Sequence, residues 1–146
     1  MVPPVCKHIL LIDDNLAEVL LMEQAFASLP KPESRMVHVV HDGVTGLAAA
    51  RQQGHFANLP RPDIILLDLH MPEMDGLSFL HERNQDATLR TIAVVVLSTS
   101  NESQKIQQAY LAGANAYLQK PVNFRGVCDL VASIDQFWLQ SCELVH

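Results

Sequence analysis

Cysteines, basic runs and long apolar stretches are all scarce in this chain, and each scarcity removes a class of protein. Cys6, Cys128 and Cys142 form an odd set with no metal-ligand or redox spacing. They read as reduced thiols, which argues against a disulfide framework or a zinc module. No run of Lys and Arg occurs, and ten of them against sixteen Asp and Glu give a formal charge of −6. That acidic balance argues against nucleic acid or an anionic membrane as the main partner. No segment approaches the roughly 20 apolar residues of a membrane span, and the first residues lack the apolar stretch of a signal peptide. The sequence predicts a cytoplasmic protein.

What is present is enough apolar material for one core: 49% of 146 residues. One domain is expected over residues 1–146, with a core from about 8 to 140 and short tails. Apolar runs of strand length alternate with stretches of helical period. Strands are predicted over 8–13, 36–40, 63–68, 92–97 and 116–119. Helices are predicted over 17–29, 44–53, from 75 onward, over 102–112 and from about 123 to about 140. Pro30, Pro32, Gly54, Pro60, Pro62 and Gly113 punctuate them. The 63–68 run is apolar on both faces, as suits a central parallel strand covered by helices on each side. Five βα units in series predict an α/β three-layer sandwich with right-handed crossovers.

Ligands in such sheets bind outside the carboxyl ends of the strands. The predicted strand ends carry Asp13 and Asp14, Asp68, Ser98 and Thr99, and Lys120. Each has a plain reading alone: a helix cap, a turn acid, a turn hydroxyl, a solvated charge. Their shared edge makes the joint plain reading weak. Three close carboxylates repel one another, so such a site recruits a cation or raises a pKa. Mg2+ fits them, since it takes oxygen ligands and leaves positions for water and phosphate oxygens. Asp68 then suits a nucleophile for phosphoryl transfer, with Lys120 and Ser98 able to hold phosphate oxygens.

The segments Asp13-Asp14-Asn15, Asp68-Leu-His-Met-Pro-Glu-Met-Asp75-Gly76, Ser98-Thr99-Ser100 and Lys120-Pro121 together resemble the receiver domain of two-component response regulators. The resemblance runs from about residue 8 to about 140 and implies a flavodoxin-like (βα)5 fold with strand order 2-1-3-4-5. It implies Asp68 as phosphoacceptor, and Asp13, Asp14, Asp68 and the His70 carbonyl as Mg2+ ligands. Ser98, Lys120 and the Thr99 amide would hold the phosphoryl oxygens. Ser98 and Tyr117 would be the moving switch pair, and His70 and Ser100 would tune the phosphoryl lifetime. A cis bond at Lys120-Pro121 is also implied. Ser98 stands where Thr is commoner, and Thr99 where Ala or Gly is usual.

A narrower likeness rests on the loop at 55–62, the Gly113-Ala-Asn-Ala-Tyr segment and Phe137-Trp138. These resemble single-domain regulators that partner phytochrome-type histidine kinases. The implied protein is a signalling switch and not an enzyme, read through altered protein contacts. A homodimer through the last strand and last two helices is the implied assembly, with no nucleic acid and no membrane. The rival reading is a scaffold or dimerisation receiver that works without phosphorylation. A dehalogenase-type hydrolase would need a carboxylate two residues after Asp68, where His70 stands.

Overall fold

Strand alternation sorts the apolar residues into two cores, one on each face of a single sheet. In the computed structural model, which describes residues 6–71 and 73–145, the strands are β1 (Lys7–Ile12), β2 (Arg35–Val40), β3 (Ile64–Asp68), β4 (Ala93–Ser98) and β5 (Ala116–Gln119). All neighbours are parallel, in the order β2-β1-β3-β4-β5, the flavodoxin-like arrangement that was expected. The helices are α1 (Leu16–Ala27), α2 (Gly43–Ala50), α3 (Gly76–Asn84), α4 (Ser103–Leu111) and α5 (Phe124–Ile134).

One core joins Leu10, Ile12, Ile65, Leu67, Val94 and Val96 to Leu47 of α2 and to Phe79 and Leu80 of α3. The other joins Ile9, Leu11, Ile64, Leu66, Val95 and Leu97 to α1 and α5 through Val19, Phe26, Val127 and Val131. Successive side chains of a strand point to opposite faces, so a strand covered on both sides must be apolar throughout. That is why β3 and β4 are buried along their whole length. Each fully buried Leu or Ile contributes about 1.5–3 kcal/mol of transfer free energy.

Register then fixes what lies beside what. Leu11 pairs with Leu66, Asp68 with Leu97, and Ser98 with Gln119. The carboxyl ends of β1, β3, β4 and β5 therefore line one edge. Side-chain caps start the helices there: Asn15 accepts from the Glu18 amide, Asp75 from that of Ser78, and Asn123 from that of Gly126. Gly76 is required by close approach, since a Cβ there would lie 2.7 Å from the Leu69 Cα and 2.9 Å from the Asp68 carbonyl. α4 is the exception. It has no side-chain cap and buries only Ala109.

Two expectations are corrected. The last helix does not continue regularly to 140: it is α-helical to Ile134 and then takes a π-helical turn over Asp135–Ser141. The wider turn shifts the buried stripe by about one residue. Val127, Val131 and Ile134 are buried at helical spacing, Asp135 and Leu139 are the buried residues of the π-helical turn, and Phe137 is left 57% exposed. Trp138 packs on the second core, edge-on to Phe137 at 5.1 Å. The second correction is the Lys120-Pro121 bond, which is trans, as the intrinsic preference of an X-Pro bond favours.

Candidate functional site

Asp13 leaves β1 with its amide donating to the Val40 carbonyl at 3.1 Å, which turns its carboxylate over the end of the sheet. Oδ1 accepts from the Asn15 amide at 2.9 Å, and Oδ2 lies 3.3 Å from the Lys120 ammonium. Asp68 closes β3. Its Oδ1 accepts from the His70 amide at 3.2 Å and lies 3.3 Å from the same ammonium. Lys120 is fixed from behind, because its amide donates to the Ser98 carbonyl at 2.7 Å. One cation thus bridges the first and third strand ends.

Asp14 completes an acidic trio. Carboxylate oxygens of Asp13, Asp14 and Asp68 all lie within 4.8 Å of one another. Asp13 and Asp68 are buried while Asp14 is exposed, so the trio opens to solvent on one side. Burial drives the Asp13 carboxyl up to about 6; the charges of Asp68 and Glu18 add to this, and the Asn15 amide and Lys120 oppose it. Burial disfavours the Lys120 charge, but the Glu18 hydrogen bond and the charges of Asp68, Asp13 and Glu18 outweigh it and raise its pKa. The site therefore holds more negative charge than one lysine offsets. Three hard oxygen donors, two of them desolvated, fit a divalent cation such as Mg2+.

Ser98 ends β4 fully buried, and its Oγ accepts from the Ser100 amide at 3.2 Å. The Ser100 carbonyl in turn accepts from Tyr117 Oη at 2.7 Å. The two residues expected to act as the switch pair are thus joined through Ser100. Thr99 is exposed and its carbonyl accepts from Gln119 Nε2 at 3.4 Å. The His70 ring is exposed, so only its backbone faces Asp68 in a defined contact.

Glu18 was missed by sequence reasoning. It accepts a hydrogen bond from Lys120 Nζ, making it the third carboxylate on that ammonium. Its position, three residues after the Asn15 cap, carries a signal only for the helix dipole. Nothing in the sequence ties residue 18 to residue 120, which meet only when α1 and β5 are brought to one edge.

Comparison with known proteins settles the family. The model of the response regulator receiver domain matches residues 9–132. The chain belongs to the response regulator receiver family. Response regulator Rcp1 of Synechocystis sp. is 35% identical over 142 residues, covering 97% of this chain and 94% of Rcp1. The crystal structure of the phosphorylated cyanobacterial phytochrome response regulator RcpA superposes with a TM-score of 0.90 at 39% identity, covering 97% of this chain and all of that one. The Mn2+-bound form of Rcp1 gives 0.86 at 34% identity, over 96% and 99%. This receiver is thus similar to phytochrome response regulators along nearly its whole length, and as a receiver it is a two-component signalling switch. No helix among its described residues is long and apolar enough to cross a membrane.

Proposed function

We propose that this receiver takes a phosphoryl group from a histidine kinase onto Asp68 and answers by changing its protein contacts. The observation that carries the reading is the convergence on one ammonium: Lys120 Nζ lies 3.3 Å from both Asp68 Oδ1 and Asp13 Oδ2, beside a carboxylate trio. A carboxylate attacks phosphorus poorly while its own charge and the phosphoryl oxygens are unscreened. Asp68 would form the new O–P bond as the N–P bond to the kinase histidine breaks, with in-line geometry. Lys120 turns from Asp68 toward a phosphoryl oxygen as that charge arrives. The Ser98 hydroxyl and Thr99 amide hold the remaining oxygens.

Asp13, Asp14, Asp68 and the His70 carbonyl would hold Mg2+, which when bound supplies the positive charge that Lys120 alone lacks. The Rcp1 relative is described with Mn2+, and the acidic trio here supports a divalent ion of the same kind. We assign the tuning of the phosphoryl lifetime to His70 and Ser100, the positions that the family resemblance implies for it.

The readout follows from the hydrogen-bonded chain. When Ser98 swings toward the phosphoryl group, the Ser100 amide loses its acceptor and the Tyr117 hydroxyl loses its fixed partner. α4, with one buried side chain and no side-chain cap, is the element least able to resist. Its exposed Tyr110 and Leu111, with Val122 and Phe124 beyond β5, form the face offered to a kinase or a second copy. A phytochrome-type kinase is the proposed donor, on the strength of the relatives. Residues 1–146 act as one cytoplasmic receiver unit.

Incubation with acetyl phosphate and Mg2+, followed by intact mass measurement, tests this. One added phosphoryl group on the wild type and none on folded Asp68→Asn supports it. An unmodified wild type would instead favour a phosphorylation-independent scaffold.

A further inference from the structure

The end of the sheet remote from Asp68 holds a second, unrelated concentration of charge. A cavity of about 470 Å3 lies where the start of β1, the turn before β2 and the π-helical turn meet. Lys7, Lys31 and Arg35 line it against a single acid, Asp135, in a protein whose net charge is −6. Lys7 and Asp13 bracket β1, so the cavity stands about 20 Å from the acidic trio, at roughly 3.3 Å per strand residue.

Arg35 is the decisive residue. Its side chain is only 6% exposed, and its Nε and Nη2 reach Asp135 Oδ1 and Oδ2 at 3.0 and 3.4 Å. Nη2 also donates to the Pro30 carbonyl at 3.0 Å. Nη1 is buried and has no acceptor among the described residues. A buried charged donor left without a partner costs more than an ordinary lost hydrogen bond, so such groups imply an absent acceptor. The rim is strained as well: Lys31, not a glycine, sits at φ 56° and ψ 61°, held by its carbonyl accepting from the Ser34 amide and hydroxyl. Non-glycine residues in that region gather at ligand clamps.

We propose that this cavity binds a small phosphorylated metabolite through its phosphate group. Asp135 takes the Nε–Nη2 edge of Arg35 and the Pro30 carbonyl takes the other Nη2 hydrogen, so a planar carboxylate ligand finds no second fork on this guanidinium. What remains are donors from three separate groups: the two lysine ammoniums on the cavity wall and Arg35 Nη1, which is covered in this structure and meets a ligand oxygen after a small shift of its neighbours. Three such donors suit the spread oxygens of a tetrahedral phosphate better than the two of a carboxylate. The volume lies in the range of small-molecule pockets and exceeds the needs of bare phosphate. Pro30 and Leu139 supply apolar walls for the remainder of the ligand.

The test uses full-length Asp68→Asn protein in EDTA at low salt, so that neither phosphorylation nor a metal–phosphate contact at the other edge enters. Inorganic phosphate and adenosine monophosphate are titrated separately while backbone amide resonances are followed. Saturable shifts at Lys7, Ser34 and Arg35, weakened at least about tenfold by Lys31→Glu, are expected, with the nucleotide the tighter probe. Phosphate binding as tightly as the nucleotide would place the site with free phosphate and overturn the metabolite assignment. No saturation by about 10 mM, shifts unaffected by Lys31→Glu, or shifts centred on Lys120 would overturn the site itself. Because Asp68 is absent throughout, failure here leaves the phosphoacceptor reading untouched.

Discussion

Glu18 holds the ammonium of Lys120, the same ammonium that lies 3.3 Å from Asp68 Oδ1. The two carboxylates therefore compete for one cation, and Glu18 opposes its transfer to an incoming phosphoryl group. Glu18→Gln keeps the shape and removes the charge. The pair is only partly buried, with Glu18 one-third exposed, so its contribution stays about 0.5–1 kcal/mol and phosphorylation by acetyl phosphate should quicken about two- to fivefold. A slower rate would mean that Glu18 aims Lys120 and does not restrain it.

Asp13 sets a pH dependence of defined sign. Its carboxyl titrates near 6 in the folded chain and near 3.8 when unfolded. Between these values the folded state binds more protons, so stability falls as pH rises through the window and levels off above 6. A shift of this size corresponds to on the order of 3 kcal/mol. In EDTA, the wild type should lose stability against Asp13→Asn between about pH 4 and 6, followed by urea denaturation. A difference that is flat or opposite in slope would contradict the geometry given for Asp13. Mg2+ and protons also compete for this group, so Mg2+ affinity should weaken as pH drops below 6.

Tyr117→Phe removes the 2.7 Å bond to the Ser100 carbonyl and little else. A loss of about 0.5–1.5 kcal/mol in stability is expected. Faster amide exchange at Ser100 and Glu102 should accompany it, because the loop before α4 loses its tether. Unchanged exchange would remove Tyr117 from the proposed switch.

Arg83 is a buried cation whose hydrogen-bond partners are neutral acceptors. Nη1 donates to Asn84 Oδ1 and the Gly113 carbonyl at 3.0 and 2.8 Å, and Nη2 to the Ile92 carbonyl and Asn115 Oδ1 at 2.5 and 3.1 Å. It ties α3 to the segments flanking β4 and β5. Arg83→Met should cost about 2–4 kcal/mol by stranding several of these acceptors, measurable as a lower denaturation midpoint. The variant, once folded, should still accept phosphate on Asp68.

Most of the fold was legible because β3 and β4 are uninterrupted apolar runs bounded by Pro, Asp and Ser, and because helical spacing marks α1 and α5. Strand order was not read from any residue; it came with the family resemblance. Asp13, Asp14, Asp68 and Lys120 were legible because strand ends in a parallel sheet share an edge. What escaped depends on long-range contact. Glu18 reads as a first-turn acid, Arg83 as one more solvated helix charge, and the π-helical turn at Asp135 leaves no local signature. Arg35 and Asp135, 100 residues apart, pair only once the last helix crosses the start of β2.

The most direct measurement traps the modified side chain itself. Borohydride converts an aspartyl phosphate to homoserine, so the phosphorylated protein can be reduced, digested and mapped by mass. The account predicts homoserine at position 68 alone. Homoserine at 13 or 14, or at no carboxylate of the trio, would contradict it.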